Sequence, residues 1–166
     1  MYYELADNLD LTEKLWTPIG DKDNAFKGHF DGNGFEITLN ADGAYEASGL
    51  FGYTDGAQIK MLGIRGLSRT SGDFSGGLIA NAKDTTLENC YSAAYVSAQK
   101  YSGGLIGYAQ SGCRVTNCYS AGFSKAQNSG MLFGHISNGV GVKNLYYRAG
   151  SNIGAAGENA SDNTSL

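Results

Sequence analysis

SGLFGYTDGAQIKML, residues Ser48 to Leu62, returns three times along the chain. Its later copies read SGGLIANAKDTTLENC (Ser75 to Cys90), SGGLIGYAQSGCRVTNC (Ser102 to Cys118) and SGMLFGHISNGVGVKNL (Ser129 to Leu145). Aligned, they place Leu50, Leu78, Leu105 and Leu132 in one column, 28, 27 and 27 residues apart. Phe51, Ile79, Ile106 and Phe133 follow. A second column holds Ile59, Leu87, Val115 and Val142, and three residues on come Leu62, Cys90, Cys118 and Leu145. A weaker apolar column is Leu67, Tyr95 and Phe123. A fixed period of this length is the mark of a repeat architecture.

Each unit carries three short apolar segments separated by Gly, Ser, Asn and Asp. The best helical rival, TTLENCYSAAYVSAQK (Thr85 to Lys100), is rich in aromatic and β-branched residues, and its repeat-mate RVTNCYSAGFSK (Arg114 to Lys125) contains Gly122. Both favour strand. Three strands per unit of about 27 residues predict an all-β parallel solenoid of about four to five coils. One coil alone would lose about 1–2 kcal/mol of backbone entropy per residue. Five or six inward side chains at about 1.5–3 kcal/mol each do not recover that. Stacking supplies the missing partners, so each coil is the template for the next.

Small residues mark the corners. Gly49, Gly77 and Gly104 precede the leucine column, while Gly52, Gly107 and Gly134 close the strand, with Ala80 in the remaining copy. Asn89, Asn117 and Asn144 form a further column, expected to serve turns or a hydrogen-bonded ladder. Cys90 and Cys118 fall in one column, predicting a buried, reduced pair, with Cys113 in a turn.

WTPIG (Trp16 to Gly20), FKGHFDGNGFEI (Phe26 to Ile37) and the recurring SGGLIG…VTNCYSAG together resemble bacterial surface proteins with GLUG-motif repeats. The core of that motif appears here as Gly49-Leu50-Phe51-Gly52 and Gly104-Leu105-Ile106-Gly107. The pattern is also similar to the region preceding the catalytic part of immunoglobulin A protease-type zinc metallopeptidases. The resemblance runs from about Leu5 to Tyr147. It implies a right-handed parallel β-helix, secreted or displayed on a bacterial cell surface, and no particular chemistry. Residues 1–150 are expected to form that β-helix, as a piece of a longer protein, with NLDLTEKLWTPIG opening the first coil; residues 151–166 read as a flexible polar tail or linker.

Chemistry is sparse. Net charge is −4, with the 12 Lys and Arg scattered, which argues against a nucleic-acid partner. No apolar run is long enough to span a membrane. The metallopeptidase signature H-E-x-x-H is missing, since the histidines are His29 and His135. Both read as strand or turn residues. FDGNG (Phe30 to Gly34) and DKDN (Asp21 to Asn24) read as turns rather than calcium loops. No cofactor or metal is expected. Glycosidases and lyases need clustered charges. The columns Asp55/Lys83/Gln110 and Lys60/Glu88/Thr116/Lys143 do not supply them, and no column is expected to set a carboxylate against a base in adjacent coils.

One surface feature stands out. Tyr91, Tyr119 and Tyr146 follow the cysteine column, so strand alternation points them outward, with Ser92 and Ser120 beside them. Such a ladder could bind a host glycan or surface protein, or could simply stack to stabilise the sheet. Tyr53, Tyr108 and Tyr147 are placed in turns. The resulting expectation is a non-catalytic, adhesin-like recognition module. The alternatives are a spacer holding flanking domains and, third, a carbohydrate-active enzyme.

Overall fold

A computed structural model describes residues 1–148 and 154–159. The described residues contain strands and no helix. They wind into a parallel β-solenoid of about six turns, roughly 27 residues apart. The coils run approximately 2–28, 29–57, 58–85, 86–113, 114–140 and 141–159. Every strand pairing is parallel, joining a strand to its counterpart one coil away, as in Ile59↔Leu87↔Val115↔Val142 and Ile79↔Ile106↔Phe133.

The pairings form three sheets of 12, 5 and 4 strands. The largest wraps around a corner, so a typical coil shows four strand segments, for example Gln58–Lys60, Gly63–Thr70, Phe74–Gly76 and Ile79–Lys83. At that corner the backbone is left-handed in every coil from the second onward, at Asn33, Met61, Asn89, Asn117 and Asn144, with φ between 51° and 54°. Asparagine tolerates this conformation because its short side chain bonds locally. The predicted ladder is present. Asn117 Nδ2 donates to Asn89 Oδ1 at 3.1 Å, and Asn144 Nδ2 to Asn117 Oδ1 at 2.9 Å.

The predicted columns are the core. Leu50, Leu78, Leu105 and Leu132 are buried, as are Phe51, Ile79, Ile106 and Phe133. Ile59, Leu87 and Val115 close the opposite side with Leu62, Cys90 and Cys118. Gly104 shows why the corners are small: a Cβ there would lie 2.0 Å from Ser120 Oγ and 2.2 Å from the Met131 carbonyl oxygen. The three cysteines are free and buried. Cys90 and Cys118 donate to the carbonyls of Glu88 and Thr116 at 3.2 and 3.1 Å, and burial pushes the Cys90 thiol well up.

The turns number about six because a last one forms beyond the fourth copy; the first, already expected at NLDLTEKLWTPIG, lacks the glycine–leucine signature. It is held by Tyr2–Glu4 against His29–Asp31, Leu9–Asp10 against Ile37–Thr38, and bridges from Ile19 and Phe26 to Phe51 and Thr54. Within the segment expected as a tail, Ala156–Asn159 forms a strand on Phe133–Ile136. Its small residues suit the corner, and the Ala155 carbonyl accepts Leu132 and Phe133 N–H just as Leu105 accepts Leu78 and Ile79. Residues 149–153 and 160–166 lie outside the described residues.

Candidate functional site

The outer side of the large sheet past the asparagine corner changes character along the solenoid. Its outward positions in the second coil are Glu36, Thr38, Asn40 and Asp42; in the third, Gly63, Arg65, Leu67 and Arg69. Tyr91, Ala93, Tyr95 and Ser97 follow in the fourth coil, and Tyr119, Ala121, Phe123 and Lys125 in the fifth. The earlier coils are thus ion-paired and the later ones aromatic.

The charged half is tightly bonded. Arg65 Nε lies 2.6 Å from Glu36 Oε2, and Arg69 Nε donates to Asp42 Oδ1 at 2.8 Å. The Arg69 hydrogen bond holds Asp42 below its ordinary range. Elsewhere Lys60 Nζ meets Asp31 at 3.0 Å and Lys83 Nζ meets Asp55 at 3.7 Å. The expectation that no column opposes carboxylate and base is therefore overturned: Asp31/Lys60, Asp42/Arg69 and Asp55/Lys83 are register partners. Lys60 reaches back to Asp31 rather than forward to Glu88.

In the aromatic half the predicted tyrosine column is in register, Tyr91↔Tyr119↔Tyr146. The Tyr91 and Tyr119 rings stack at 5.0 Å with planes 4° apart. Tyr119 is 45% exposed and Tyr146 68%. Tyr91 is partly covered because its ring lies over Gly63, where a Cβ would come within 2.4 Å of the ring. Its hydroxyl donates to Glu36, two coils away. Burial, then that carboxylate, pushes the Tyr91 hydroxyl up to about 12.

Ser92 and Ser120 are not part of this surface. Both are buried, in the interior beside Gly77 and Gly104, because alternation that turns Tyr91 out turns its neighbour in. Tyr95 and Phe123 are also not core residues. Both are exposed, and their rings stack at 5.2 Å, 16° apart. They form a second aromatic ladder beside the first, with Ala93 and Ala121 between. The signal for this was alternation counted from buried Cys90, which sends every odd residue from Tyr91 to Ser97 outward. Tyr53, Tyr108 and Tyr147 lie in strands, not turns.

The remaining motifs are local turns. Asp31 accepts the Asn33 N–H at 2.9 Å, while Asp21 accepts those of Asp23 and Asn24 at 2.9 and 2.7 Å. His29 is exposed on a strand, and His135 stacks on Tyr108 at 4.3 Å. Among the described residues no group of His, Cys, Asp or Glu is arranged to hold a metal ion, and no helix is long and apolar enough to cross a membrane.

Comparison with known proteins agrees with the repeat. The family model of the GLUG motif matches residues 98–124, the Tyr101–Gly103 corner through to the Phe123 strand. A protein of Evansella cellulosilytica named a Gly-rich membrane protein is 38% identical over an 86-residue alignment, which covers 44% of this chain and 9% of that relative. This chain therefore spans a small part of the relative's length. Neither match carries the likeness to immunoglobulin A protease-type metallopeptidases. No solved structure matches the chain.

Proposed function

We propose that this chain is a non-catalytic module of a bacterial surface protein that recognises a host glycan or matrix component through its aromatic face. The observation that carries the reading is the exposed double ladder, Tyr91/Tyr119/Tyr146 beside Tyr95/Phe123. Soluble proteins seldom leave contiguous aromatic surface in water without a use for it. Flat aromatic faces with polar edges suit sugar rings and protein loops alike. The GLUG match and the relative's membrane-protein name favour display at the cell surface, outside the cytoplasm.

A second reading has its own support. The Tyr91 ring is committed to Tyr119, Gly63 and Glu36, which is what a stack that only stabilises a spacer would show. Screening the folded chain on a glycan array and immobilised mucin separates the two. Recognition predicts saturable binding that Tyr119→Ala and Phe123→Ala each weaken. A spacer predicts no binding by either variant or by the parent chain.

A further inference from the structure

A different face carries a second candidate site. On the outer side of the five-stranded sheet one column reads Tyr53, Asn81, Tyr108, His135. Three of these are rings, and at Asn81 the column is broken by a short amide. Phe74 leans into the break from the neighbouring sheet, edge-on to Tyr53 at 6.5 Å and to Tyr108 at 5.6 Å. Beside Phe74 a groove of about 470 Å³ remains open, with Asn81 among its lining residues. That is within the ordinary size of a small-ligand site.

The groove's polar groups are of mixed kind. Asn81 is only 7% exposed. Its Oδ1 accepts from Gln110 Nε2 at 2.7 Å, which leaves its Nδ2 hydrogens for solvent or a ligand in the groove. The groove wall adds Tyr53 and Glu46, together with Asp73 and Lys22. Lys83 and Asp55 pair with each other, leaving no excess of positive charge for a phosphate or sulfate.

We propose that this groove binds one uncharged pyranose residue. The C–H face of the sugar packs on the Phe74 and Tyr53 rings, Asn81 Nδ2 donates to a ring hydroxyl, and Asp73 accepts from another. Aromatic wall, buried amide donor and carboxylate acceptor are together the complement of a neutral sugar, which is apolar on its faces and both donor and acceptor at its rim. The site is independent of the tyrosine ladder, which lies on another sheet.

Saturation-transfer NMR and calorimetry with cellobiose, lactose and N,N′-diacetylchitobiose test this, with chondroitin sulfate as the anionic control. The proposal expects at least one neutral disaccharide to bind with Kd at or below about 10 mM. Asn81→Leu, which removes the amide donor, and Asp73→Ala, which removes the carboxylate acceptor, should each weaken it about tenfold or more, while Tyr119→Ala binds as the parent does. It is overturned if the folded chain binds none of the three. It is equally overturned if Asp73→Ala binds normally with an unchanged unfolding midpoint, if chondroitin sulfate is preferred, or if Tyr119→Ala abolishes binding, which would assign the sugar to the ladder.

Discussion

Met61 is the residue at which the repeat departs most plainly from its own rule. Four of the five left-handed corner positions are asparagine; Met61, at φ 51°, is not. A side chain of its kind pays about 1–2 kcal/mol in that conformation, and it breaks the amide ladder between Asn33 and Asn89. Met61→Asn is expected to raise stability by about 1 kcal/mol, read as a higher urea midpoint with unchanged slope. Asn117→Ala should lower it by a similar amount. Buried serines give a contrasting pair. Ser68 Oγ donates to the Gly76 carbonyl at 2.9 Å and meets Ser75 Oγ at 3.0 Å, whereas Ser120 Oγ is buried without a hydrogen-bond partner. Ser68→Ala should cost about 1–3 kcal/mol, and Ser120→Ala should be neutral or stabilising; equal losses in both would contradict this. The asparagine column was legible in the sequence as a column. Its left-handed backbone was legible only by analogy with turns, and Met61 hid one member outright.

Individual strands of two to eight residues owe their stability to the ladders they complete. Among the charged ladders the carboxylates titrate below their ordinary values. The Asn33 N–H and Lys60 lower Asp31, the Arg69 hydrogen bond lowers Asp42, and Glu36, raised by burial, is held down by the Tyr91 hydroxyl and Arg65. Groups depressed in the folded state contribute stability above their unfolded values, 3.8 for Asp and 4.5 for Glu. That stability is lost as pH falls through the lower folded values. The unfolding midpoint should therefore be flat above about pH 5 and fall below about pH 4. Because these pairs face solvent, the loss should shrink in high salt; a midpoint that rises on acidification would contradict the assignment. At this scale the sequence revealed the inward columns and the tyrosine ladder, since identical residues recur at one spacing. It concealed the Tyr95/Phe123 stack because an aromatic column looks the same facing in or out. It also concealed two of the opposed pairs, because Asp31 and Asp42 precede the copies from which the columns were aligned, whereas Asp55 and Lys83 already shared a column.

The whole molecule is a stack in which each coil's strands pair with those of the adjacent coils, so damage at the centre should spread. Leu105→Ala, at the buried third position of the four-residue leucine column, is expected to cost about 2–5 kcal/mol. The same truncation at Leu9, exposed in the first coil, should cost under about 0.5 kcal/mol. The period disclosed this architecture readily. The first coil was legible at NLDLTEKLWTPIG although its corners lack the glycine–leucine signature, while the strand Ala156–Asn159 escaped notice because Ala155 and Ala156 stand where Leu132 and Phe133 stand one coil earlier. The groove at Asn81 could not have been found from columns at all, since Phe74 and Asp73 reach it from another sheet.

Recognition through the aromatic face is most directly tested by measuring mucin binding and unfolding free energy together for the parent chain and Tyr119→Ala. Losing one stacked ring should cost about 0.5–1.5 kcal/mol of stability, leaving the variant folded, while binding falls more than about tenfold. Binding that is absent from the folded parent, or unchanged in the variant, would contradict the account and leave the ladder a structural stack.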